Sequence, residues 1–290
     1  MRVLVTGASG FSGSHVARAL AASGHAVTGL YRRDTAFLAL ARAQHRIQLI
    51  QSALDGLAAL PGPFEAIVHT AATSPAPGIS DEMIRRDNLD GTAALLAAAK
   101  GWETKRFIFF SSLSLYGNVA GPVLDENTPI VHPDRYGVTK QQCETLMAGS
   151  GIPALSLRLP GVLGPGAHRN WLSGIAVKLR AAQPVEAFHL NAPFNNAAHI
   201  QDIANLVIAT LAREWTGHDT VVLGARGAIP VRQTIEKLAG ALGVRAQIVE
   251  CLPKKPHFTL SSDHAITRWG YDPMEIGAMI NRYGREIRSA

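Results

Sequence analysis

The chain has 290 residues, of which 47% are hydrophobic and 17% charged, enough for one large α/β domain or one domain with a smaller lobe. A net charge of +6 raises nucleic acid as a partner, but Lys and Arg occur only in short runs such as YRRD, MIRRD and PKKP, and aromatic residues make up 6%. No basic stripe interleaved with aromatics exists, so no nucleic-acid partner is expected, and the charge suits an anionic small molecule better. Cys143 and Cys251 form neither a metal-ligand cluster nor a disulfide framework, which fits a reducing compartment. The N-terminal MRVLVTGASG is too short and too turn-rich for a signal segment. No apolar run approaches the ~18 residues of a membrane span, so the chain is expected to be cytoplasmic with no membrane partner.

In chain order, RVLVTG (2–7) reads as a short buried strand, followed by SGSHVARALAASG with apolar residues at helical spacing and a terminating Gly24. HAVTGLY, RIQLIQS, FEAIVHTAA and KRFIFFSS read as the second to fifth strands, with a helix RRDNLDGTAALLAAAKG (85–101) between the last two. A helix through DRYGVTKQQCE (134–144) precedes a sixth strand, ALSLRL (154–159). Strands buried on both faces and alternating with helices predict a Rossmann-like, doubly wound parallel sheet. After Pro160 the rhythm breaks. A Gly/Pro-rich loop (160–170) is followed by helical WLSGIAVKLRAA, the helix HIQDIANLVIATLA (199–212), the strand DTVVLG (219–224), and a tail of mixed helix and strand. The expected division is a dinucleotide-binding domain over 1–163 plus about 197–224, and a small mixed α/β substrate lobe over about 164–196 and 225–290.

The stretch VTGASGFSG places Gly7, Gly10, Phe11, Ser12 and Gly13 between the first strand and the first helix. Glycines permit the tight turn and the close approach to a pyrophosphate, and the helix N-terminus offers N–H groups and its positive dipole end. The spacing G-x-x-G-x-x-G, together with YGVTK (136–140), resembles the short-chain dehydrogenase/reductase superfamily. AIVHTAA, NLDGT, FFSSLSLYG, LDENTPIVHPDRYGVTK, LRLPGVLGPG, HIQDIANLV and RWGYDP narrow the resemblance to the extended branch, the NAD(P)-dependent epimerase/dehydratase-like proteins. The likeness runs from about residue 2 to the C-terminus.

The resemblance implies that Tyr136 is the catalytic acid/base, Lys140 its partner on the same helix face, and Ser112, four positions before Tyr116, the serine that holds the reacting oxygen. Free tyrosine ionises only near ~10, and a neighbouring ammonium favours the phenolate. Lys140 would also reach the nicotinamide ribose. Ala71 and Ala72 would line the cofactor, while Asn88, Ser114 and Arg169 are candidate substrate contacts. Tyr31 stands where NAD-preferring members carry Asp, and Arg32 and Arg33 follow, so NADP is expected ahead of NAD. Asp34, the residue that could oppose this, is next in the chain.

Leu113 and Ser114 replace the Asp-Glu of sugar-nucleotide 4,6-dehydratases, which removes the proton carrier that a β-elimination needs. Asn195 stands where nucleotide-sugar enzymes of the branch tend to carry a diphosphate-clamping arginine. The substrate is accordingly expected to be a sugar or a sugar-nucleotide-like hydroxyl or ketone, anionic in character. Reduction or dehydrogenation leads, with cofactor-retaining epimerisation as the alternative and a non-catalytic cofactor sensor as a third possibility. Cys143 reads as a buried small hydrophobe, and His199 and Asp202 as structural. A homodimer through the helices holding Asn88 and Tyr136 is implied by the resemblance alone.

Overall fold

The computed structural model describes residues 1–42, 46–253 and 255–289. The chain divides into two compact units: 1–118 with 130–158 and 204–221, and 119–129 with 159–203 and 222–290.

The first unit is built on a seven-stranded sheet. Its strands are β1 (Arg2–Thr6), β2 (Ala26–Tyr31), β3 (Ile47–Gln51), β4 (Ala66–His69), β5 (Arg106–Ser112), β6 (Ala154–Leu159) and β7 (His218–Val222). Their order is β7-β6-β5-β4-β1-β2-β3, and β3, β2, β1, β4 and β5 pair in parallel. Val3, Leu4, Val5, Ile67, Val68, Phe107 and Ile108 have no meaningful exposure, as expected of strands covered on both faces. The apolar runs in the sequence are thus the sheet itself, and the fold is the α/β Rossmann-like class that they predict.

Helices α1 (Phe11–Ala22), α2 (Ala36–Arg42), α3 (Asp81–Arg85), α4 (Gly91–Gly101) and α5 (Arg135–Ala148) belong to this unit. The single helix expected over 85–101 is in fact interrupted. α3 is capped by Ser80, whose hydroxyl accepts from Met83 N–H at 3.2 Å, and residues Arg86–Asp90 widen into a π turn before α4. Asn88 lies in that turn, its side chain bonded to Thr73, a long-range pairing that no local periodicity reports.

Strand order reverses at β1, with β2 on one side and β4 on the other. In open α/β sheets ligands bind beyond the carboxyl ends of the strands at such a reversal. The turns at those ends are Gly7–Gly10 after β1, Arg32–Asp34 after β2, Ala71–Thr73 after β4, and Ser112–Ser114 at the end of β5.

The second unit contains short strand pairs and helices. Gly161–Leu163, inside the expected loop, pairs in parallel with Ala197–His199, and Val185–Ala187 pairs in parallel with Ile248–Glu250. Helix Trp171–Arg180 starts with a capping box between Asn170 and Ser173. Helices Val231–Leu242 and Ile276–Arg288 pack together around Ile235, Leu238, Met279, Ile280 and Tyr283. Gly284 permits their close approach, because a Cβ there would collide with the Ala241 methyl. No described helix is long and apolar enough to cross a membrane.

Candidate active site

The β1–α1 turn has the form a pyrophosphate requires. Gly7 adopts φ 75°, and a Cβ on it would lie 2.8 Å from the backbone of Ala71. A Cβ on Gly13 would collide with the Gly7 carbonyl and approach the Thr70 hydroxyl to 2.6 Å. Gly10 is the N-cap of α1 and no side chain caps this helix, so its first turn offers backbone N–H groups and the positive dipole end to an anion. The Phe11 ring packs on His15 and Phe37, Ser12 is half-buried at the start of the helix, and Ala72 is exposed. The cradle therefore fits a dinucleotide phosphate.

A buried hydrogen-bond chain fixes this turn. Thr6 Oγ1 lies 2.6 Å from His69 Nδ1, and His69 Nε2 lies 2.9 Å from Thr92 Oγ1. Thr92 donates its hydroxyl proton to the Asn88 carbonyl at 2.6 Å, so His69 Nε2–H donates to Thr92 and Nδ1 accepts from Thr6. Burial, reinforced by the charge of Lys140, pushes the imidazole down to about 3, and it is neutral. Sequence reasoning gave His69 no role. Its signal was a histidine closing an otherwise apolar four-residue strand.

At the end of β2, Arg32 donates to Asp87 Oδ2 at 2.7 Å and to Thr73 Oγ1 at 3.5 Å. Burial would raise the Asp87 carboxyl, but hydrogen bonds from Arg32, Thr73 and Arg86 outweigh it and hold it at about 2. Arg33 is exposed. Asp34 faces Arg42 at 2.5 Å.

Tyr136, Lys140 and the serine turn meet in the same unit. Asp134 caps α5, accepting from Gly137 N–H at 2.7 Å, which places half-buried Tyr136 in the first turn. Lys140 is only 2% exposed; its Nζ donates to the Phe110 carbonyl at 2.7 Å and sits 5.5 Å from the Tyr136 ring centroid. The same ammonium lies 4.5 Å above the Phe109 ring. Ser112 Oγ donates to Ser114 Oγ at 3.1 Å and accepts from Ser114 N–H at 3.1 Å. A Cβ on Gly137 would collide with the Ser114 carbonyl oxygen, so the start of α5 lies directly against the serine turn.

Ser111 faces the other way, donating to Glu144 at 2.6 Å. Glu144 in turn pairs with Arg158 at 2.7 Å, and Arg158 donates to Tyr116 Oη at 2.6 Å. This buried network ties α5 to β5 and β6.

Asn88 is 2% exposed, and its amide is committed to the Thr73 backbone in both directions and to Thr139 Oγ1 at 3.3 Å. Its side chain clamps the turn after β4 onto the start of α4 and α5. Cys143 is fully buried with its sulfur near Asn88 O and Thr92 Oγ1, and burial pushes its thiol up.

In the second unit, Arg169 is exposed at φ 59°, immediately before the N-cap Asn170. Asn195 is 6% exposed, and its amide bonds both the N–H and the carbonyl of Leu260 at 2.8 Å. His199 accepts from Gln201 N–H and lies 3.0 Å from Glu286, while Asp202 accepts from Met274 N–H. Both are in structural positions. No group of three or more His, Cys, Asp or Glu among the described residues could hold a metal ion.

Residues 3–224 match the NAD dependent epimerase/dehydratase family, and the chain belongs to that family, which makes it a nicotinamide-dinucleotide-dependent enzyme. It is 27% identical over 270 residues to an uncharacterized UDP-glucose epimerase of Bacillus subtilis (strain 168), covering 86% of this chain and 84% of that one. It is 25% identical over 271 residues to a UDP-glucose 4-epimerase of Streptomyces lividans, covering 83% and 81%. In fold it is similar to a UDP-glucuronic acid 4-epimerase from Bacillus cereus solved in complex with NAD, with a TM-score of 0.85, 23% identity and coverage of 100% and 99%.

Proposed function

We propose that the chain interconverts a hydroxyl and a ketone on a sugar or sugar nucleotide, with Tyr136 as the acid/base. The observation that carries this is the packing of the α5 N-terminus onto the serine turn, with buried Lys140 beneath the Tyr136 ring. The nicotinamide, when bound, accepts or returns the hydride. Tyr136 Oη takes the carbinol proton in one direction and gives it to the carbonyl oxygen in the other. Lys140 supplies fixed positive charge beside the negative oxygen that Tyr136 then carries. Ser112 Oγ, steadied by Ser114, orients the reacting oxygen, and Ser114 contacts the substrate.

Dinucleotide binding is assigned to 1–163 with about 197–224, through Gly7, Gly10, Phe11, Ser12, Gly13, Ala71 and Ala72, with Lys140 on the ribose. Substrate recognition is assigned to about 164–196 and 225–290, with exposed Arg169 as an anion contact. The Arg32–Arg33 pair supports NADP by charge, whereas the relatives solved with NAD support the unphosphorylated form. Cofactor-retaining epimerisation is the second reading, supported by relatives described as UDP-sugar 4-epimerases. Two unpaired cysteines support a cytoplasmic setting, and exposed Ala93, Ala94 and Ala97 on α4 support a homodimer through that face.

Incubating the purified chain with NAD or NADP and UDP-glucose, UDP-galactose or UDP-glucuronate separates the readings. Net change in reduced nicotinamide identifies a dehydrogenase or reductase, and a shifted C4 epimer ratio without it identifies an epimerase. Neither change, with any of these or with free sugars, contradicts the proposal.

A further inference from the structure

The residues that would meet the adenosine ribose contain a competition that the sequence conceals. Arg32 stands at the carboxyl end of β2, about 20 residues beyond the glycine cradle, where an acidic residue receives a ribose 2′-hydroxyl or an arginine receives a 2′-phosphate. Here the arginine is already engaged. Its guanidinium reaches to the π turn before α4 and donates to Asp87 Oδ2 at 2.7 Å, with a second N–H 3.5 Å from Thr73 Oγ1.

The two partners are unequal. The Asp87 side chain is 12% exposed and that of Arg32 is 49% exposed. Asp87 is held in place independently of Arg32: Oδ2 also accepts from Thr73 Oγ1 at 2.7 Å, and Oδ1 accepts from Arg86 at 2.8 Å. Its low-lying carboxyl is charged throughout the physiological range. Asp87 is therefore the fixed anion and Arg32 the mobile cation, so a 2′-phosphate must compete with Asp87 for the same guanidinium. A 2′-hydroxyl meets no such competition.

We propose that Asp87 sets the dinucleotide selectivity of this enzyme by withholding Arg32 from a 2′-phosphate. NADP then relies on Arg33, and the Arg-Arg pair overstates the preference for NADP when read from sequence. The proposal rests on the dinucleotide reading of the site, and it adds a residue on the π turn before α4 to the determinants at the end of β2.

The test is calorimetric titration of NAD+ and NADP+ into the nucleotide-free full chain, for the wild type, Asp87→Asn, Arg32→Ala and the double variant, with a thermal melt of each. Asp87→Asn is expected to tighten NADP+ about fivefold while leaving NAD+ within about twofold, and the gain is expected to vanish in the double variant. Arg32→Ala alone is expected to cost NADP+ less than about twofold, because that side chain is already occupied. This second arm decides the question if Asp87→Asn does not fold. An unchanged ratio of the two affinities in Asp87→Asn, a gain that survives Arg32→Ala, or a loss of about tenfold or more in Arg32→Ala alone overturns the proposal. Binding of neither dinucleotide by the wild type overturns the cofactor reading and this proposal together.

Discussion

A Cβ at position 137 would lie 2.8 Å from the Ser114 carbonyl carbon and collide with its oxygen. The poor helix former beside Tyr136 is thus explained by contact with the serine turn. Gly137→Ala should raise intrinsic helix propensity by about 1 kcal/mol, yet overpacking there costs about 1–3 kcal/mol. The expected result is a lower melting temperature together with a lower kcat, and a higher melting temperature would show that the contact is slack.

His69 gives a second test at this scale. Its folded imidazole is held near 3, against an ordinary value of 6.5, so the unfolded chain takes up a proton that the folded chain does not. Its stabilising contribution is complete above about 6.5 and is lost progressively as pH falls towards 3, at up to about 1.4 kcal/mol per pH unit. Urea midpoints at pH 7 and pH 5 should therefore fall less in His69→Asn than in the wild type. Equal slopes would place His69 outside the titrating set.

Among the elements, α5 combines the proposed catalytic face with an anchor. Tyr136 and Lys140 occupy its first turns, and Glu144 on the following turn forms the buried pair with Arg158 that also bears on Tyr116. Removing one member of a buried pair leaves the other charge uncompensated, which costs about 3–5 kcal/mol. Glu144→Ala should lower the denaturation free energy by that amount, measured by urea unfolding.

The strands of the sheet were legible because burial on both faces writes continuous apolar runs, as in RVLVT and RFIFFSS. Tyr136, Lys140 and the glycine turn were legible because their spacing is local. The π turn at Arg86–Asp90 was not, because Asn88 and Asp87 are fixed by Thr73, a partner remote in the chain. The strand pairs 193–194 with 229–230, 161–163 with 197–199 and 123–124 with 259–260 were missed for a related reason: pairs of two or three residues are too short to show a period.

For the whole molecule, composition and motif order set the α/β class and the family, and the family match over 3–224 agrees with both. The least legible segment lies after Pro160, where the Asn195 amide clamps both the N–H and the carbonyl of Leu260. Assembly is tested separately. If the α4 face forms a homodimer, Ala94→Glu with Ala97→Glu should convert a dimer to a monomer in light scattering, and a monomeric wild type would contradict the homodimer.

The central claim is that Tyr136 moves the proton while hydride transfers, and it is tested most directly by single-turnover kinetics of Tyr136→Phe on an identified substrate. The expected result is hydride transfer slowed by about 100- to 10,000-fold, with dinucleotide affinity within about twofold of the wild type. Hydride transfer at the wild-type rate in Tyr136→Phe would contradict it.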